Sequence, residues 1–338
     1  MHLWSYALGF APVLLFLASL RLMDSFKLVH ARTLVLALGL GAAAAGSAYV
    51  IHRVLIQSFG LDPDQLRHII GPCIEETLKA ACLLWFLRGD RVGFLVDAAI
   101  VGFAIGTGFS LVENFYYVAA LADPSPVLWL ARGLGTAVMH GATTAIMAIV
   151  VKTLEDRAPR FELLGLLPAL ALAIGVHAAF NGLPFHPLLT SAGLLVVMPL
   201  LMLGVFDRSE RLTRAWLVTG FDTEIDMLEQ IVDHEVHGTA VGHYLETLRR
   251  RFEPIVVADL LCLLRVHLEL SLRAKGILIA RAAGVELPAD PAVRAHLDEL
   301  RYLERTVGPT GRLAIMPLRR SDSRDLWQIM MLDQTSKR

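Results

Sequence analysis

Glu75, Glu76 and Lys79 lie within one helical turn of each other in a run that is otherwise apolar, IIGPCIEETLKAACLLWFL from Ile69 to Leu87. A run of this length and character reads as a membrane span. A charge near the middle of a bilayer costs about 2.5–3.5 kcal/mol on insertion scales, so ionisable groups at that depth point to function. Lys79 follows Glu76 by three residues and Glu75 by four, which puts all three on one helical face. A single ion pair that merely orders a helix bundle accounts for one carboxylate and leaves the other over. The chemistry such a trio suits is water activation, with Lys79 pairing one glutamate and the other acting as base.

Further polar groups sit in other apolar runs: Asp97, Glu113, Asn114, Arg132, His140, His177 and Asn181. Asp97 is placed at the edge of its span, in contact with solvent. At 1.5 Å per residue, Glu75 and Glu76 lie roughly 10 Å below one boundary of their span. Glu113 and His177 fall at a similar depth when their spans run the other way, and His140 lies somewhat deeper. Isolated packing defects would not line up in this manner, so the alignment predicts one polar cavity fed by four helices. Glu113 and Tyr117 share a face, as do His177 and Asn181, and Arg132, Thr136 and His140 follow at four-residue steps.

The elements that must hold these groups are helical spans. The chain has 338 residues, 55% hydrophobic and 19% charged, which is too apolar for an ordinary soluble enzyme. Residues 1–206 hold 12 basic and 12 acidic residues, while the remainder holds 19 and 20. The division predicts an all-α polytopic membrane domain over 1–206 and a water-soluble helical tail over 207–338. Seven spans are expected: Leu3–Leu20, Thr33–Leu55, Ile69–Leu87, Phe94–Ala122, Leu128–Val151, Leu163–Leu183 and Pro187–Val205. The fourth is long enough to tilt or break near Gly106-Thr107-Gly108. Gly102 and Gly106 form a GxxxG pattern suited to close helix packing.

Basic residues cluster in the loops after spans one, three and five, which predicts an outside N-terminus and a cytoplasmic tail. The first span has no basic leader and no small-residue cleavage site, and reads as a retained anchor. In the tail, Asp222 or Thr223 is positioned to cap a helix from Glu224 towards Arg251. Further helices are expected over Pro254–Ala283, from Pro291 to Gly308, and over Asp322–Leu332. Three cysteines, Cys73, Cys82 and Cys262, build no disulfide framework. The near-zero net charge gives no sign of nucleic-acid binding.

Taken in order, EETLK (Glu75–Lys79), GFSLVENFYY (Gly108–Tyr117), RGLGTAVMHGATTA around His140 and HAAFN (His177–Asn181) resemble the PrsW family of intramembrane proteases. That family is related to the CAAX prenyl endopeptidases and bacteriocin-processing membrane proteins. The resemblance covers most of residues 1–206 and none of the tail. It implies hydrolysis of a peptide bond in a single-pass membrane protein near the extracytoplasmic side of a bacterial inner membrane, the substrate being an anti-sigma factor or similar regulator.

On this reading Glu75 or Glu76 is the base, His140 and His177 bind the water or the oxyanion, and Asn181 donates to the oxyanion. Glu113 orients a histidine, with Lys79 and Asn114 in support. The rival mechanism uses a divalent metal such as zinc on Glu76, His140 and His177, although no HExxH motif is present. Water activation without a permanent metal is the favoured form.

Other readings explain less. Ser110 and His177 suggest a serine–histidine dyad, but the serine lacks a following glycine and both glutamates are left idle. Cys73 as nucleophile leaves them idle too. His234-Glu235-Val236-His237 spaces its histidines three apart, where a zinc-protease helix needs four. From other functional classes, a proton-coupled transporter would also use buried carboxylates, and a non-catalytic scaffold would work through its tail and a cytoplasmic partner of it.

Overall fold

Long apolar stretches with no water to satisfy the backbone must close their hydrogen bonds internally, and the helix does so residue by residue. The computed structural model is accordingly helical, with no strand among the described residues, which are 3–24, 26, 29–88, 92–120, 125–157, 162–182, 187–233, 236, 238–285, 287–288, 290–318, 327–329 and 331–333. The chain divides into two compact units, Met1–Ser209 and Glu210–Arg338.

The first unit contains α1 (Leu3–Met23), α2 (Ala31–Phe59), α3 (Gly71–Leu87), α4 (Leu95–Ala120), α5 (Ala137–Arg157), α6 (Glu162–Gly182) and the first half of α7 (Pro187–Val232). Among the described residues, six helical stretches are long and apolar enough to cross a membrane. The third of the seven expected spans, α3, is not among them: it has 17 residues and carries Glu75, Glu76 and Lys79. Its apolarity is diluted by the very groups that make it interesting. Each of α3 and α5 is preceded by one turn of π-helix, Leu66–Ile70 and Arg132–Thr136. Such turns carry an extra residue per loop of hydrogen bonding and recur at functional sites.

The centre of the unit is α4, buried along most of its length and packed against α1, α2 and α5. It does not break at Gly106-Thr107-Gly108 but runs as one helix of 26 residues. Those glycines serve close approach instead: a Cβ on Gly106 would overlap the His140 carbonyl of α5, and one on Gly108 the Leu38 carbonyl of α2. Asp97, expected in solvent, is 1% exposed, and its carboxylate accepts the backbone N–H groups of Gly93 and Phe94, each at 3.1 Å. Leu22, Val35, Leu167 and Val197 lie exposed on outward faces, as lipid-facing side chains would.

Gly106→Ala should therefore destabilise the bundle by about 1–3 kcal/mol, the range for overpacking. Gly46→Ala, where nothing stands within 4 Å of an added Cβ, should be neutral or stabilising, because alanine is the better helix former. Unfolding midpoints of the two variants in one detergent test the contrast. Equal midpoints would remove the close-approach account of Gly106.

In the second unit, α7 continues to Val232, with α8 (Ala240–Arg249), α9 (Pro254–Ala282) and α10 (Pro291–Ile315) after it. No helix starts at Glu224. Thr223 sits mid-helix, its hydroxyl donating back to the Thr219 carbonyl at 2.8 Å. α10 is bent at Gly308 (φ 67°) ahead of Pro309. Residues 327–329 and 331–333 are helical, and the rest of the expected Asp322–Leu332 helix lies outside the described residues. Trp327, Met331 and Leu332 are buried, and Asp333 accepts from Arg301 at 2.7 Å.

Candidate active site

Four helices converge on one cluster. From α3, Glu76 and Lys79 are fully buried, and Glu75 keeps 15% of its side chain exposed. α4 brings Glu113, α5 brings His140 and Thr143, and α6 brings His177.

The hub is Glu76 Oε1, which accepts from Lys79 Nζ at 2.6 Å, His177 Nδ1 at 2.8 Å and Thr143 Oγ1 at 3.3 Å. Lys79 Nζ is also 3.0 Å from His140 Nδ1 and 4.6 Å from the centre of the Phe109 ring. An ammonium only donates, so Nδ1 of His140 accepts and its Nε2–H donates to Glu113 Oε2 at 2.9 Å. Glu113 is in turn paired with Arg132 at 3.3 Å. The same guanidinium donates to Asn114 Oδ1 at 3.0 Å and lies 3.7 Å from the Tyr117 ring centre. The imidazoles meet edge to face, 4.8 Å apart.

Each histidine thus has one nitrogen fixed by a carboxylate, Glu76 for His177 and Glu113 for His140. Fixing one nitrogen selects the tautomer and aims the other. His177 presents Nε2 towards Glu75 Oε2, 3.9 Å away. Glu75 makes no hydrogen bond among the described residues, and it is the uncommitted carboxylate of the three.

Donor atoms of Glu75, His140 and His177 all lie within 4.8 Å of one another. A carboxylate with two imidazoles is a known catalytic zinc set, with metal–donor distances of about 2.0–2.2 Å. These three residues would hold such an ion, the 3.9 Å between His177 Nε2 and Glu75 Oε2 being less than twice those lengths. The donor set fits a divalent ion on one condition. Both nitrogens of His140 have partners, so this ring joins an ion only by releasing Lys79 or Glu113. Glu76, the sequence's choice of carboxylate ligand, is not in this group; its Oε1 is held by Lys79, His177 and Thr143, and its buried Oε2 has no hydrogen-bond partner among the described residues.

The model of the PrsW family of intramembrane metalloproteases matches residues 29–204, just over half of the chain. The chain belongs to this family. Comparison with curated proteins and with solved structures gives no match in either. With PrsW membership comes the family's activity, peptide-bond hydrolysis in the membrane, and the all-α polytopic fold agrees with it.

Within this PrsW-family site the remaining expected residues take supporting positions. Asn181 Nδ2 donates to the Arg67 carbonyl at 3.0 Å, so its amide ties α6 to the π-turn ahead of α3. Asn114 Nδ2 donates to the Gly9 carbonyl of α1 at 2.8 Å. Ser110 donates to the Thr107 carbonyl of its own helix. Cys73 is free and half-buried. His234, Glu235 and His237 lie outside the described residues. Thr143 is a site residue that sequence reasoning passed over, although its place three residues after His140 was a usable signal. The four-residue spacing puts Arg132 on the His140 face and gives no sign of its pairing with Glu113.

Proposed function

We propose that the chain hydrolyses a peptide bond of a single-pass membrane protein at a centre formed by Glu75, His140 and His177. The approach of their donor atoms to within 4.8 Å, from three different helices, carries this reading. Hydrolysis needs a positioned water, a base for its proton and donors for the oxyanion. Glu76 has no exposed surface and a fully engaged Oε1, which makes it the fixture that aims His177. Glu75 faces the reacting water and takes its proton, then returns it to the leaving amine. Arg132 and Glu113 hold His140 in register.

Glu75, His140 and His177 would hold a divalent ion such as zinc, which when bound supplies an acidic water and polarises the scissile carbonyl. The family's metalloprotease chemistry weighs for that ion, against the metal-free form that the motifs alone favoured. The substrate fitting the family resemblance is a membrane-anchored regulator of the anti-sigma-factor kind. The basic loops argue for a cytoplasmic tail, and the family resemblance for a bacterial inner membrane with cleavage near its outer face.

The test is cleavage of a single-span substrate by the purified chain in liposomes. Cleavage should stop after exhaustive chelation and return with Zn²⁺. Cleavage untouched by chelation would remove the ion and leave Glu75 as sole activator. Absence of cleavage together with gradient-dependent proton flux would replace the protease with a transporter. Unchanged function on neutralising Glu75, Glu76, His140 and His177, with loss on tail deletion, would replace it with a scaffold.

A further inference from the structure

The second unit holds a cavity of about 690 Å³, within the size range of small-molecule sites. One wall is the face of α7 that carries Trp216, Gly220, Glu224 and Met227, and another is the face of α9 that carries Leu268 and Lys275. The start of α8 also lines it, and a helix start favours negative charge.

Lys275 is the unusual group in this wall, a lysine only 1% exposed. Its ammonium donates to Glu224 Oε1 and lies 5.0 Å from the Trp216 ring centre. Gly220 makes the room, since a Cβ there would stand 2.7 Å from Lys275 Nζ. The other oxygen of Glu224 accepts from Ser271 at 2.7 Å, and the Ser271 hydroxyl accepts from Gln328 at 2.7 Å. Both oxygens of Glu224 are therefore engaged, and its charge is matched by Lys275.

An ammonium has three donors. One serves Glu224, and among the described residues no second acceptor takes another. The buried end of the cavity thus has spare donor capacity at Lys275, and the buried His267 stands beside it in the lining. Asp226 lines the cavity as an exposed residue, where water and salt weaken its field.

We propose that this cavity binds a small amphipathic organic acid, with its carboxylate on Lys275 and its apolar body against Trp216, Met227 and Leu268. The site lies outside the family-matched segment, and the inference does not depend on the protease reading.

Equilibrium dialysis of the full chain in phosphatidylcholine nanodiscs tests it, with radiolabelled phenylpropionate as probe and empty nanodiscs as blank. Phenylpropanol and phenylpropylamine serve as the neutral and cationic counterparts. Phenylpropionate should bind saturably and at least about tenfold more tightly than either, the worth of one hydrogen bond to a charged group. Lys275→Met should weaken it by a similar factor. Because that change strands Glu224 and can unfold the unit, Met227→Trp provides a second variant that fills the cavity and should abolish saturable binding. Equal binding of acid and alcohol, tightest binding of the amine, or saturable binding that survives Met227→Trp would each overturn the proposal.

Discussion

Glu75→Gln should lower proteolysis by roughly two to four orders of magnitude, the usual worth of a positioned acid–base group, while leaving the fold nearly untouched. The amide keeps the shape of the side chain and loses its basicity, and as an ion ligand it is far poorer than a carboxylate. Little stability should go with it, because Glu75 makes no hydrogen bond among the described residues and retains 15% exposure. Its nearest ionic neighbour, His177 Nε2, stands 3.9 Å away, beyond hydrogen-bonding distance. Cleavage of a single-span substrate in liposomes, paired with the unfolding midpoint of the same preparation, gives both numbers. An active Glu75→Gln enzyme would shift the catalytic role to the neighbouring glutamate. An inactive variant that had also lost its midpoint would reduce Glu75 to a structural part.

The sequence could show that two adjacent glutamates share a depth with two histidines, because depth follows from counting residues along a helix. It could not divide the work between the glutamates. Positions 75 and 76 are about 100° apart around a helix, and which of them faces Lys79, Thr143 and His177 depends on the rotation of α3 against its neighbours. The same limit hid the Arg132–Glu113 pair, which joins residues from separate segments across the start of α5. Asp97 was misplaced for a related reason: a carboxylate at a helix start looks solvent-bound until the chain entering the helix folds back and offers its N–H groups.

Helix ends were legible where an N-cap and proline stood together, as at Asp290-Pro291, whose carboxylate accepts the Ala292 N–H at 2.8 Å. They were misleading at Asp222 and Thr223. A threonine hydroxyl can be satisfied by the carbonyl four residues back inside a continuous helix, and Thr223 takes that option. Glu224, read as the first residue of a new helix, instead anchors Lys275 from the middle of an old one.

Lys79→Met is expected to be the most destabilising single change at the site. It leaves Glu76 with no exposed surface and with His177 and Thr143 as its remaining hydrogen-bond partners at Oε1. Breaking a buried pair by removing one partner costs about 3–5 kcal/mol, since a charge is stranded, whereas replacing both partners together costs far less. The double variant Glu76→Gln/Lys79→Met should therefore recover most of the lost stability, a coupling that a double-mutant cycle of unfolding free energies reads directly. Activity should not return with it. A glutamine at position 76 is a weaker acceptor for the His177 Nδ1–H, and loss of a carboxylate that orients a histidine typically costs about 10–100-fold in metal affinity or turnover. If the double variant were as unstable as Lys79→Met alone, the pair would not be the electrostatic unit that its 2.6 Å contact implies. If it regained full cleavage as well as stability, Glu76 would have no part in aiming His177.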